Sequence, residues 1–148
     1  RFTGALGQSV PAPVPDALKT MHALHSAMNK NLVRACHDLS EGGLAVAIAE
    51  MAFAGRRGAT LDLAKLPRNA EVTRDDIALF SESSARFLVE VTPGNTAVFE
   101  AAFAGRPVAR IGTVSAGDVL NVRGLHGNTV IDVDIETMLK AWQGTEVV

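Results

Sequence analysis

The chain has 148 residues, 47% of them hydrophobic, with one cysteine and a formal net charge of −2 from 14 basic and 16 acidic side chains. That length and composition fit one folded domain with a real core and exclude a disordered chain. No basic block with interleaved aromatics points to nucleic acid, a lone Cys36 excludes an internal disulfide and fits a reducing, cytosolic setting, and the longest apolar run, residues 44–49, is too short for a membrane span.

Gly4, Gly7, Pro11, Pro13 and Pro15 interrupt every period over residues 1–15, which predicts an extended lead-in or linker before a single domain at 16–148. A start at Arg1 rather than Met suggests a piece of something longer. Asp16 is the expected N-cap of a helix to about Asn31, with Leu18, Met21, Leu24, His25 and Met28 on one face. Residues 32–36 (LVRAC) read as a strand, DLSEGG as a turn, and residues 43–54 as a helix with Gly55 as its C′ glycine.

Residues 60–63 read as a strand and residues 66–76 mostly as a loop, with a short helix at 75–80. The cleanest strand is 86–91 (RFLVEV), with Phe87, Val89 and Val91 on one face and Leu88 and Glu90 on the other. A turn at 93–95, a helix at 96–104, strands at 109–114, 119–122 and 130–133, and a closing helix at 135–142 complete the chain. That order predicts a mixed α/β (α+β) layered domain.

The stretch DLSEGGL places a turn between a strand and a helix. Unsatisfied N–H groups at a helix start attract anions, and glycines let a phosphate approach the backbone. Asp38 is a candidate ligand for Mg²⁺, which prefers hard oxygen donors, and Ser40 a candidate donor to a phosphate oxygen. The competing reading is structural: Asp38 and Glu41 as a capping box, with Gly42 relieving a tight turn. Neither common nucleotide fingerprint is present. In FSESSAR, residues 80–86, Glu82 and Arg86 are candidates to orient a polar ligand, although a serine-rich loop before a strand is ordinary turn chemistry. Cys36 and His37 point to opposite faces of a strand and so form no dyad. His22 and His25 share a helical face without a carboxylate or cysteine at metal-site spacing.

HDLSEGGLAVAIAEMAFAG, then TLDL, LFSESSARFLVEV and IGTV, in that order, resemble the C-terminal domain of the synthetase subunits of phosphoribosylformylglycinamidine synthase, from about Gly4 to Met138. The resemblance implies a domain of an ATP-dependent amidoligase of purine biosynthesis, with the aminoimidazole ribonucleotide synthetase type of fold: a layered mixed sheet with packed helices, partly ferredoxin-like. In that reaction formylglycinamide ribonucleotide, ATP and glutamine-derived ammonia give the amidine, ADP, phosphate and glutamate. The catalytic histidine and most ATP ligands belong to other domains, so this domain alone is expected to be inactive. The resemblance implies ATP and Mg²⁺ as cofactors, Asp38 as the metal ligand, and Ser40, Glu41, Gly42 and Gly43 against nucleotide or phosphate. It implies the remaining synthetase domains, a glutaminase and a small bridging subunit as partners, in the cytoplasm. Many relatives carry glycine where this chain has Ala85. Two other readings remain: a non-catalytic scaffold around a fixed nucleotide, and another superfamily member such as a selenophosphate synthetase or thiamine-phosphate kinase. The LFSES block argues against the last.

Overall fold

A computed structural model describes residues 12–144. Most of the lead-in expected at 1–15 lies outside the described residues, as does the end of the domain expected at 16–148. Five helices and six strands follow in the order α1 (Ala17–Asn29), β1 (Ala35–Asp38), α2 (Gly43–Gly55), β2 (Ala59–Asp62), α3 (Asp75–Phe80), β3 (Phe87–Glu90), α4 (Thr96–Ala102), β4 (Gly112–Val114), β5 (Val119–Arg123), β6 (Thr129–Asp134) and α5 (Ile135–Trp142). Short 3₁₀ turns at Leu63–Lys65 and Pro93–Asn95 follow β2 and precede α4. No described helix is long and apolar enough to cross a membrane.

The expected mixture of helices and mixed sheet is present, with the strands divided between two sheets. β1 and β3 pair antiparallel, with Cys36 opposite Val89 and Asp38 opposite Phe87. The second sheet has the order β4-β2-β5-β6. Only β2 and β5 run parallel in it.

Each sheet has its own core. Ala59 and Leu61 of β2 and Leu120 and Val122 of β5 alternate inward onto Leu44, Ala47 and Ile48 of α2 and Ala78 and Leu79 of α3. The first sheet presents Cys36, Phe87, Val89 and Val91 to Leu24 and Ala27 of α1 and Phe99 and Phe103 of α4. Leu88 faces the other core, so the alternation expected for this strand holds. α2 is nearly all apolar because it packs against α3, α5 and the first sheet while sharing the core of the second.

Several boundaries differ from expectation by one or more residues, and at the ends of α1 and α2 the backbone gives the reason. The strand expected at 32–36 begins at Ala35. Asn31, at φ 55°, ends α1 in the left-handed region, where Leu32 N–H bonds to Ala27 O and Asn31 N–H to Met28 O. That pair of bonds is a Schellman cap, so the first of the expected strand residues belongs to the helix end. Gly55 is not the left-handed residue after α2: it is the last helical residue, and Arg56 takes φ 50° and ψ 47°. The strand expected at 109–114 is reduced to Gly112–Val114.

Candidate functional site

β1 ends at Asp38, and the chain then turns through residues 39–42 into α2. Gly42 is the N-cap of α2 at φ 74°, and no side chain caps the helix from that position. The capping box expected from Asp38 and Glu41 therefore does not form. A box needs Asp38 at the N-cap and Glu41 at the third helical position, and α2 begins only at Gly43. Gly42 N–H donates instead to Glu82 Oε1 at 2.8 Å, forty residues away in sequence. The carboxylate thus sits at the positive end of the α2 dipole.

Gly43 is buried, at φ 62°. A Cβ there would lie 2.6 Å from Ser81 O and 2.7 Å from Leu79 O. The glycine is required because two backbones meet: the start of α2 and the end of α3. Its N–H is directed to Ser40 O at 3.2 Å.

The two sequence blocks thus form one structure. Leu39 N–H bonds to Arg86 O at 3.0 Å, and Asp38 pairs with Phe87 across the first sheet. Arg86, half-buried, turns its guanidinium onto the carbonyl oxygens of Ser81 and Ser83, at 3.4 Å for the second. Burial pulls its pKa down, yet a guanidinium stays charged in a protein. Ser81 and Ser83 hydroxyls lie 2.9 Å apart. Ala85 stands at φ 57°, a conformation costing a non-glycine residue about 1 kcal/mol. Position 85 is thus one where the backbone favours glycine.

Asp38 and Ser40 are exposed at the mouth of this structure. The Asp38 carboxyl is held below the usual range, first by the Ser40 hydroxyl and then by backbone N–H donation. An ionised, exposed carboxylate beside a hydroxyl suits Mg²⁺, which keeps several waters and takes one or two protein carboxylates plus phosphate oxygens. The donor set therefore fits that ion. Among the described residues no three His, Cys, Asp or Glu side chains cluster as a complete metal cage. Glu41 is exposed beside them.

One pair escaped the sequence reading. His37 Nε2 lies 2.7 Å from Glu50 Oε2, and its Nδ1 lies 2.6 Å from Asp38 O. Both partners accept, so the doubly protonated imidazolium satisfies both bonds. Its pKa is raised, chiefly by the Asp38 carbonyl and further by Glu50, against partial burial. The available signal was Glu50 itself, the one charged residue of α2. The stabilisation from a raised histidine pKa is complete below the unfolded value and disappears as pH rises through the folded one. The stability advantage of the native chain over His37→Gln is therefore expected to be full below the unfolded value of about 6.5 and to shrink as pH rises above it. Denaturant melts of both proteins across that range provide the check, and a pH-independent difference would refute it. Cys36, on the opposite face, has its thiol pKa pushed up by burial and then by Asp38, which leaves it a poor nucleophile.

The family model "AIR synthase related protein, C-terminal domain" matches residues 3–129. The phosphoribosylformylglycinamidine synthase subunit PurL of Caldanaerobacter subterraneus subsp. tengcongensis is 34% identical over 119 residues, covering 79% of this chain and 15% of the relative. PurL of Brucella abortus is 36% identical over 156 aligned positions, covering 94% of this chain and 19% of the relative. The chain thus spans less than a fifth of the length of these curated relatives. Among solved structures, the Thermotoga maritima complex PurLQS superposes with a TM-score of 0.78 at 21% identity, covering 88% of this chain and 23% of that one. Thermotoga maritima PurL complexed with ATP gives 0.72 at 21% identity, covering 80% and 21%. The Escherichia coli hydrogenase maturation protein HypE gives 0.62 at 20% identity, covering 89% and 42%.

Proposed function

Since the chain belongs to the family of AIR synthase related C-terminal domains, we propose that it is the C-terminal domain of a phosphoribosylformylglycinamidine synthase and faces a nucleotide or substrate phosphate through the 38–43 loop. The parent reaction converts an amide to an amidine with ATP and ammonia. Phosphoryl transfer makes the amide oxygen a leaving group, and ammonia then displaces phosphate. Such chemistry depends mainly on positioning and on neutralising phosphate charge. Within this domain Asp38 would hold Mg²⁺ and Ser40 would donate to a phosphate oxygen. Mg²⁺ supplies charge neutralisation on the phosphate oxygens.

The observation that carries this reading is the exposed Asp38–Ser40 pair at the end of β1, in a loop held from behind by Glu82 and by the close approach of Gly43. The two glycines hold the loop in shape, so ligand contact falls chiefly on Asp38 and Ser40. Glu82 and Arg86 act through that loop rather than by touching ligand. The remaining synthetase domains, a glutaminase and a small bridging subunit are the partners, and the cytoplasm is the compartment. No nucleic acid or membrane enters this reading.

Asp38→Ala in the full chain is expected to weaken Mg²⁺-dependent nucleotide binding at least tenfold. Its melting curve should stay close to that of the native protein, because Asp38 is exposed. Equilibrium dialysis with labelled ATP, with and without Mg²⁺, measures the effect. Unchanged affinity and turnover would remove the site assignment and leave a scaffold role, which the inward-facing use of both glycines favours.

A further inference from the structure

A second polar recess lies away from the 38–43 loop, on the open side of the β4-β2-β5-β6 sheet. Its volume is about 400 Å³, within the range of small-ligand pockets. Thr60, Asp62, Lys65, Arg110, Thr113 and Arg123 supply its polar lining. Leu61, Ile111 and Gly112 complete its lining.

The topology explains why three cations converge there. β2 lies between β4 and β5, with Thr60 opposite Thr113 and Asp62 opposite Arg123. Asp62 N–H bonds to Ile111 O at 2.8 Å, which brings the Arg110 segment alongside the end of β2. Neighbouring strands are ~4.8 Å apart, so the two arginines arise on either side of β2; Arg123 Nη2 donates to Gly127 O in the β5–β6 turn at 3.5 Å. Arg110 Nη2 lies 3.3 Å from Thr113 Oγ1, which directs its guanidinium over the open face. Lys65 reaches Asp62 at 3.8 Å from the 3₁₀ turn that follows β2.

The lining holds three cations and one carboxylate, an excess of two positive charges. Asp62 is already engaged, accepting Ala64 N–H at 3.1 Å. Neither arginine forms an ion pair among the described residues. A phosphate monoester carries about −1.5 to −2 charges at neutral pH, which matches the excess. Planar guanidinium forks fit phosphate oxygens in pairs, and threonine hydroxyls donate to those left over.

We propose that this recess binds a phosphate-bearing small molecule through Arg110, Arg123 and Lys65, with Thr60 and Thr113 as secondary donors. The site shares no residue with the 38–43 loop and stands independently of the function proposed for that loop.

Inorganic pyrophosphate is the probe, and its stoichiometry and affinity on the full chain are read by equilibrium dialysis. Arg110→Gln with Arg123→Gln should remove one bound equivalent, or weaken it at least tenfold. Asp38→Ala should leave that equivalent in place, which separates this site from the loop. Lys65→Gln, an exposed change on a turn, should weaken the same equivalent several-fold and serves if the double variant melts early. Unchanged pyrophosphate binding in the folded double variant, and in Lys65→Gln, would overturn the proposal. Displacement of the equivalent by citrate at matched concentration would overturn the assignment to phosphate in favour of carboxylates.

Discussion

Gly43→Ala is expected to destabilise the domain by about 3 kcal/mol. Two costs combine. A left-handed conformation costs an alanine about 1–2 kcal/mol, and Gly43 is at φ 62°. The new Cβ would lie 2.6 Å and 2.7 Å from the carbonyl oxygens of Ser81 and Leu79. Those atoms are backbone at the end of α3 and cannot rotate away. Forcing them apart costs about 1–3 kcal/mol, as overpacking in cores does. Gly55→Ala provides the contrast. Gly55 is helical, with nothing within 4 Å of a Cβ, so the same change there should stabilise by about 0.5–1 kcal/mol. Urea denaturation of the two variants beside the native chain gives both numbers. A loss under about 1 kcal/mol at Gly43 would mean that the close approach of α2 and α3 is not required.

Glu82→Ala should cost about 2 kcal/mol. The side chain accepts Gly42 N–H at 2.8 Å, where α2 begins. A hydrogen bond to a charged group contributes about 1.5–3 kcal/mol, and a carboxylate at a helix N-terminus adds about 0.3–1 kcal/mol, reduced by exposure. Glu82→Gln keeps an oxygen acceptor and loses only the charge, so it should cost under about 1 kcal/mol. Equal losses in the two variants would show that the charge, not the bond, secures the loop. In the full chain Glu82→Ala should also weaken nucleotide binding, because an unsecured loop no longer presents Asp38 and Ser40 in one place. Tighter binding would instead show that Glu82 competes with phosphate for the Gly42 N–H.

The histidine pair and the serine-rich loop mark the boundary of what pattern reading reaches. Strand alternation separated Cys36 from His37 correctly, because side chains alternate along any strand. It did not say what His37 meets. That partner, Glu50, lies on a helix thirteen residues on, and its pairing depends on how α2 crosses β1. Likewise FSESSAR read as ordinary turn chemistry because its interactions within the segment are ordinary. Its specific roles involve residues about forty positions away: Glu82 on Gly42, and the carbonyl of Ser81 against Gly43.

The boundaries that moved did so for related reasons. Asn31 and Arg56, not glycines, take the left-handed position at the ends of α1 and α2. Side-chain identity alone marked Gly55, but the cap is decided by which N–H groups reach the last carbonyls. Those bonds run from Arg57 N–H to Ala52 O and from Arg56 N–H to Phe53 O.

By itself the sequence determined the kinds of element and most of their places. The three-four and two-residue periods, together with Gly and Pro punctuation, act over a few residues and leave a local mark. It also determined the family, through blocks whose order and wording resemble known synthetase subunits. Only the tertiary structure decided the division into two sheets, the bond from Gly42 N–H to Glu82 and the close approach of Gly43 to the end of α3. It alone decided the meeting of three cations beside β2. Each of these joins residues far apart in the chain, and no local period records which distant backbone or charge will close the contact.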